Sequence, residues 1–328
     1  MDVITEHELI NTIKERFANY TNVSNVITNI GDDAFCFTVN DSTICITKDI
    51  LIENTHFKLS WISATDLGRK AIEVNISDIV AMGQVIPKYV FIGLGLPLTL
   101  SKEFILSLYQ GFKDTCDEYK IAICGGDTVK AEQLVISITV IGISHCENKI
   151  ISRHGANVGD VIGVTNTCGD AAAGLELLYQ YGSNYTYNYD EISLIKKQNN
   201  PKARRQEAWI IANYASSLID SSDCLYISIQ MLIEQYFKGA NIYLEKIPVS
   251  DHLRNVFNIQ NKWRQFALFG GEDYELVFTV STMASKILKK LLPNISYIGI
   301  VTNAKRVKYF YNGKEQYIIY SGYTHFHK

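Results

Sequence analysis

Ile121-Ala122-Ile123-Cys124-Gly125-Gly126-Asp127-Thr128 is the stretch from which this chain is read. An apolar run that meets a glycine pair predicts a short strand over 121–124 that stops at Gly125-Gly126, leaving an acid where the strand ends. Just upstream, residues 89–96 form a second apolar run that ends at Pro97. Ser101 is then placed to cap a helix carrying Phe104, Ile105, Leu108 and Phe112. Just downstream, residues 134–143 read as another strand. Strand, helix, strand, strand is a mixed α/β order with too few βαβ units for a simple doubly wound sheet.

Further out, residues 8–20 place Leu9, Ile10, Ile13 and Phe17 on one helical face. Residues 35–39 and 42–47 alternate as strands about the Asn40-Asp41 turn, and a helix is predicted over 65–81. The pattern restarts beyond 150 with a strand over 160–165, a Gly/Ala turn over 169–174 leading into a helix to 181, and a polar loop over 184–200. Helices are expected over 205–218 and 226–237 and a strand over 241–247. Residues 266–269 and 275–280 read as strands around Gly270-Gly271-Glu272-Asp273, followed by a helix over 281–292, a strand over 295–301 and a tight turn at Asn312-Gly313. At 328 residues the chain exceeds what one core usually supports. The expectation is therefore an α/β (α+β) fold of two domains, residues 1–150 and 151–328.

Composition narrows the function. With 31 Lys+Arg against 34 Asp+Glu and no basic stripe, nucleic acid is not expected as a partner. No apolar stretch approaches the ~20 residues of a membrane span. The chain opens Met1-Asp2-Val3 without a basic then apolar segment, so a cytoplasmic protein is expected. Its seven cysteines are scattered and never form C-x-x-C, which argues against a zinc site or a disulfide framework.

The aspartates carry the chemistry. Gly31-Asp32-Asp33, Thr47-Lys48-Asp49, Ser77-Asp78, Gly125-Gly126-Asp127, Asp220-Ser221-Ser222-Asp223 and Gly271-Glu272-Asp273 each set carboxylates beside small residues at predicted element ends. Asp and Gly also mark ordinary turns. Six such sites in one chain suggest carboxylates brought together, which repel unless cations relieve them. Hard oxygen ligands suit Mg²⁺, usually held by one or two carboxylates plus substrate phosphates. Neither a P-loop G-x-x-x-x-G-K-[ST] nor a protein-kinase H-R-D and D-F-G set is present.

In order and spacing these segments resemble the thiamine-monophosphate kinase family, within the aminoimidazole ribonucleotide synthetase-like superfamily. The resemblance also runs through His56-Phe57, Val74-Asn75-Ile76-Ser77-Asp78, Ser152-Arg153-His154-Gly155-Ala156 and Gly270-Gly271-Glu272-Asp273-Tyr274-Glu275-Leu276. It implies ATP-dependent phosphorylation of thiamine monophosphate to thiamine diphosphate by direct in-line transfer, with several Mg²⁺ ions. It also implies a homodimer formed through the N-terminal sheet. By position, Asp33, Thr47, Asp49, Asp78, Asp127, Asp220 and Asp223 match metal ligands, with Asp49, Asp78 and Asp127 as the catalytic acids. Gly126, Asp127, Arg153 and Ser222 match ATP contacts, while His56, Glu272 and Tyr320 match the substrate side. Lys48 stands where the family has a small hydroxyl residue, Cys224 replaces a glycine, and one proline of a Pro-x-Pro-Arg segment is lost at Pro201-Lys202-Ala203-Arg204. The alternatives are a superfamily relative that uses Mg-ATP with a different acceptor and a non-catalytic Mg-nucleotide-binding dimer.

Overall fold

The computed structural model of the chain describes residues 6–21, 24–145, 147–233, 238–258 and 262–320. The first half holds α1 (Glu6–Thr21), β1 (Val26–Thr28), β2 (Phe35–Val39), β3 (Ser42–Ile52), α2 (Ala64–Ala81), β4 (Ile86–Leu96), α3 (Lys102–Tyr119), β5 (Ala122–Lys130) and β6 (Val135–His145). Its strands form one sheet in the order β1-β2-β3-β6-β4-β5, antiparallel except for the β4–β5 pair. The second half runs β7 (Val161–Val164), α4 (Asp170–Tyr181), α5 (Tyr189–Asn199), α6 (Arg205–Ile211), β8 (Ala215–Asp220), α7 (Leu225–Ile233) and β9 (Gly239–Tyr243). It continues with α8 (Asp251–Val256), α9 (Trp263–Phe269), β10 (Leu276–Val280), α10 (Thr282–Leu291), β11 (Ser296–Thr302), β12 (Val307–Tyr311) and β13 (Lys314–Gln316). A seven-stranded sheet in the order β13-β12-β9-β11-β7-β10-β8 collects these strands. Each sheet thus draws on one half of the chain.

Helix α2 explains how the halves meet. Ser63 caps it by accepting the amide of Asp66, and thirteen of its residues are buried, including Lys70, Glu73, Asn75 and Ser77. A helix buried nearly all round belongs in an interior. One face covers the first sheet beside α3, while Glu73 accepts from Tyr119 Oη (2.9 Å), Lys202 Nζ (2.7 Å) and the amide of Ala203 (2.9 Å) across the junction. The second sheet completes the contact because β10 is buried on both sides, as a continuous apolar strand should be. Its Leu276, Phe278 and Val280 join the core built on α2, and Val277 joins a second core with Ile162, Val164 and Ile219.

Several local expectations change. The strand at 121–124 does not stop at the glycines but continues as β5 to Lys130, pairing Ile92 with Gly126 and Gly93 with Asp127. Glycine at 126 is what allows this, since a Cβ there would lie 1.7 Å from the Ile92 carbonyl oxygen. The 169–174 turn is almost wholly helical, with only Gly169 outside α4, at φ +93°. The polar stretch 184–200 contains α5, started by a reciprocal capping box between Asn188 and Glu191. The helix expected over 205–218 ends at Ile211, and after a turn strand β8 begins at Ala215, paired with β10. Residues 266–269 are the end of a helix rather than a strand. The helix expected over 226–237 is described only to Ile233.

Candidate active site

Helix α2 sets the geometry of the junction between the sheets. Ser77 Oγ donates to Asp220 Oδ2 (2.6 Å) at the end of β8, and Asp78 Oδ2 accepts from Thr47 Oγ1 (2.6 Å) on β3. Asn75 Oδ1 accepts the amide of Asp49 (3.0 Å), while its amide nitrogen returns to the Ala71 carbonyl within the helix. Adjacent α2 side chains therefore clasp one strand from each half and fix where their acids lie. Arg153 closes a third side: its guanidinium donates to Asp33 and stands 3.5 Å from Asp32 Oδ1.

The charges record this convergence. Burial pushes Asp78 and Asp220 well above the usual carboxylate range. Asp78 is raised further by Asp49, Asp220 and Asp33, and Asp220 by Asp33 and Asp49. Asp49 rises to about 6 through burial and the nearby charge of Asp223. Asp33 rises to about 6 mainly through burial, although Arg153 opposes the shift. Buried Asp32 Oδ2 and Asp33 Oδ2 have no hydrogen-bond partner. Orphaned oxygens among mutually repelling carboxylates are a donor set suited to a hard cation. Among the described residues, however, no three acidic or other ligating groups close around a single point. The donor chemistry suits a hard cation such as Mg²⁺, which is usually held by one or two carboxylates plus substrate phosphates.

Beside the acids opens a cavity of about 460 Å³, lined by Asp49, Asp78, Ser222 and Asp223 together with His56, Phe57, Trp61, Tyr179 and Glu272. His56 Nδ1 accepts the amide of Ile52 (3.0 Å), which sets the neutral tautomer with its proton on Nε2. Trp61 meets Tyr179 edge-on at 4.7 Å, and Lys58 Nζ lies 4.2 Å and 4.9 Å from their respective ring centres. The Glu272 loop is held by main-chain bonds from Glu272 N to the Ser222 carbonyl (2.6 Å) and from Tyr274 N to the Ser221 carbonyl (3.0 Å). Both residues take positive φ, +65° and +52°, a conformation that a non-glycine residue keeps only when its surroundings impose it.

Of the residues singled out in the sequence, Asp33, Thr47, Asp49, Asp78, Asp220, Asp223, Arg153, Ser222, His56 and Glu272 come together at this junction. Gly126 and Asp127 do not. They lie on β5, exposed along its whole length at the sheet edge. The register across the sheet runs Asp49, Ile138, Ile92, Gly126, so Asp127 is one residue out of step and faces the other side. It is three strand spacings from β3, roughly 14 Å. Tyr320 stacks on Tyr226 at 5.2 Å and against Phe269 at 5.7 Å, and it is not among the residues lining the cavity. The Lys48 ammonium bonds Ser137 Oγ (2.7 Å) on the outer face, away from the acids. Cys224 has no positive φ, so its turn does not require the glycine it replaces.

Asp32, Lys70, Asn75, Trp61, Tyr179 and Gln198 also belong to this junction, although none is expected there from the sequence. For Lys70 a signal was available, since it stands four and eight residues before Val74 and Asp78 on one helical face.

The architecture is that of the AIR synthase-related proteins: the family described as AIR synthase related protein, N-terminal domain, matches residues 31–144. The thiamine-monophosphate kinase of Aquifex aeolicus is 36% identical over 76% of this chain and 80% of its own length. That of Buchnera aphidicola from Acyrthosiphon pisum is 35% identical over 98% and 99%. A solved structure, AaThiL complexed with AMPPCP and TMP, superposes with a TM-score of 0.87 at 32% identity, covering 98% of this chain and 97% of that one. The chain belongs to the thiamine-monophosphate kinase family.

Proposed function

We propose that this chain transfers the γ-phosphoryl group of ATP to the phosphate of thiamine monophosphate, giving thiamine diphosphate. The observation that carries this reading is the convergence of Asp33, Asp49, Asp78, Asp220 and Asp223 at the α2 junction, with Asp49, Asp78 and Asp223 lining a cavity that Phe57, Trp61 and Tyr179 also line. Carboxylates that bound magnesium would neutralise, beside aromatic rings, suit a substrate that is itself a phosphate joined to a ring system. The acceptor is an ionised phosphate oxygen at neutral pH, so no strong general base is needed, and the reaction needs alignment and charge neutralisation rather than a protein nucleophile. Transfer is direct, with no phosphoenzyme.

Asp33, Thr47, Asp49, Asp78, Asp220 and Asp223 would hold magnesium, which when bound supplies the positive charge that lets two anionic phosphates approach. Arg153 and Ser222 serve the nucleotide, while His56 donates from Nε2 and Glu272 accepts on the acceptor side. Tyr320, beside Cys224 at the edge of the site, is assigned to that side by its place in the family pattern alone. Gly126 and Asp127 keep their nucleotide role on the same ground, and their exposed position ties that role to a homodimer. Apolar Ile50, Tyr89, Phe91 and Val129 stand exposed along that same region of the first sheet, a surface that a second copy would cover. Division into domains at residue 150 follows the change from the first sheet to the second.

Incubating the full chain with ATP, MgCl₂ and thiamine monophosphate, and measuring thiamine diphosphate by fluorescence after oxidation, tests the reading. Product that depends on both substrates and on Mg²⁺ is expected. ATP binding without transfer would overturn it.

A further inference from the structure

Lys70 is the most deeply buried cation of the junction, 1% exposed, yet it is not among the acids' partners. Its ammonium reaches from α2 into the second half of the chain, donating to Glu272 Oε2 (3.1 Å) and to the Gln198 main-chain carbonyl (3.0 Å). The side-chain amide of Gln198 donates to the same Glu272 oxygen. A buried ammonium is tolerated only where partners replace its water, and these partners also converge on one carboxylate oxygen. Two donors on Oε2 fix the carboxylate plane and leave Oε1 to serve whatever fills the cavity that Glu272 lines. On the same helical face, Val74 and Asp78 line that cavity one and two turns further on.

We propose that Lys70, assisted by Gln198, is a positioning residue for the acceptor substrate: it orients Glu272 by clamping Oε2. The inference rests on the reading that Glu272 faces thiamine monophosphate. The nucleotide side is spared, because the Glu272 loop reaches Ser222 through main-chain bonds that do not involve the clamped side chain.

Steady-state kinetics of the full chain, with each substrate varied in turn, tests this. Glu272→Gln and Lys70→Met should each raise KM for thiamine monophosphate about tenfold, the scale of losing a charge-assisted hydrogen bond, with KM for ATP unchanged. The double variant should be no worse than the poorer single one, because both act through one carboxylate. Lys70→Arg should recover part of the loss. If Lys70→Met fails to fold, Gln198→Leu keeps the main-chain acceptor of Lys70 and should raise the same KM about threefold. Lys70→Met or Gln198→Leu with an unchanged KM for thiamine monophosphate, or with KM for ATP raised equally, would overturn the proposal. If Glu272→Gln is itself silent, the reading of Glu272 fails and takes this proposal with it. If it is not silent, a silent lysine variant removes the proposal alone.

Discussion

Strands β3 and β5 carry the same local signature, an acid in a short apolar strand, and end in opposite situations. β3 is paired on both sides, by β2 and β6, and its inward residues Thr47 and Asp49 are pressed beneath α2. β5 lies at the edge, paired only with β4, and every residue of it is exposed. Asp49 is therefore pushed to about 6 by burial and by Asp223, whereas Asp127 looks outward from the other face. An acid's chemistry is thus set by its strand's place in the sheet and by parity along it, neither of which the flanking residues reveal.

The largest effect expected is at the β3 side. Asp78→Asn should lower kcat by about a thousandfold, as weakening the magnesium that neutralises transition-state charge does. In divalent-free buffer it should raise Tm, because a buried carboxylate repelled by Asp49, Asp220 and Asp33 is removed. Assays and thermal melts of the same preparation check both, and a lower Tm would contradict the crowded-acid account. Next comes β5. Asp127→Asn should cost about a hundredfold in turnover while changing stability by no more than about 0.5 kcal/mol, as befits an exposed position. Phe91→Glu on neighbouring β4, on the same exposed face, should lose the dimer by light scattering and turnover together. Full activity of Asp127→Asn would leave β5 outside the site, and full activity of a monomeric Phe91→Glu would remove the dimer from the reaction.

The smallest effect is a pH dependence. Asp33 and Asp49 titrate at about 6 in the folded chain against 3.8 ordinarily. A raised carboxylate contributes stability that is complete below about pH 4 and is lost as pH rises through about 6. In EDTA, the Tm of the chain should therefore fall over that window relative to a double Asn variant at Asp33 and Asp49. MgCl₂ should restore stability at pH 7 and do little at pH 4. Equal slopes for the two proteins would show that these acids do not carry the effect.

Much of the fold was legible where one periodicity dominated. Ser101, the expected cap of α3, accepts the amide of Phe104, and the helix expected over 65–81 is α2. Legibility failed where local pattern was neutral. Helix α5 buries only Leu194 and Gln198 within a polar run, so its inner stripe is too narrow to register. The Ala215-Ser216-Ser217-Leu218 run of β8 suits a helix as well as a strand, and pairing with β10 decides it. Residues 266–269 form an apolar run too short to tell helix from strand.

Residue order alone supplies the side chains for the chemistry: the acids, their small neighbours, the arginine and the histidine, in an order that places the chain in its family. Which of them meet is a matter of how the strands and α2 pack. Strand order and parity bring Asp33, Asp49, Asp78 and Asp220 into one buried region and leave Asp127 on an outer edge, and the packing of α2 against both sheets delivers Lys70 to Glu272. Spacing along a chain is local information, whereas burial and Coulomb repulsion depend on distances that exist only once two sheets have closed on the same helix.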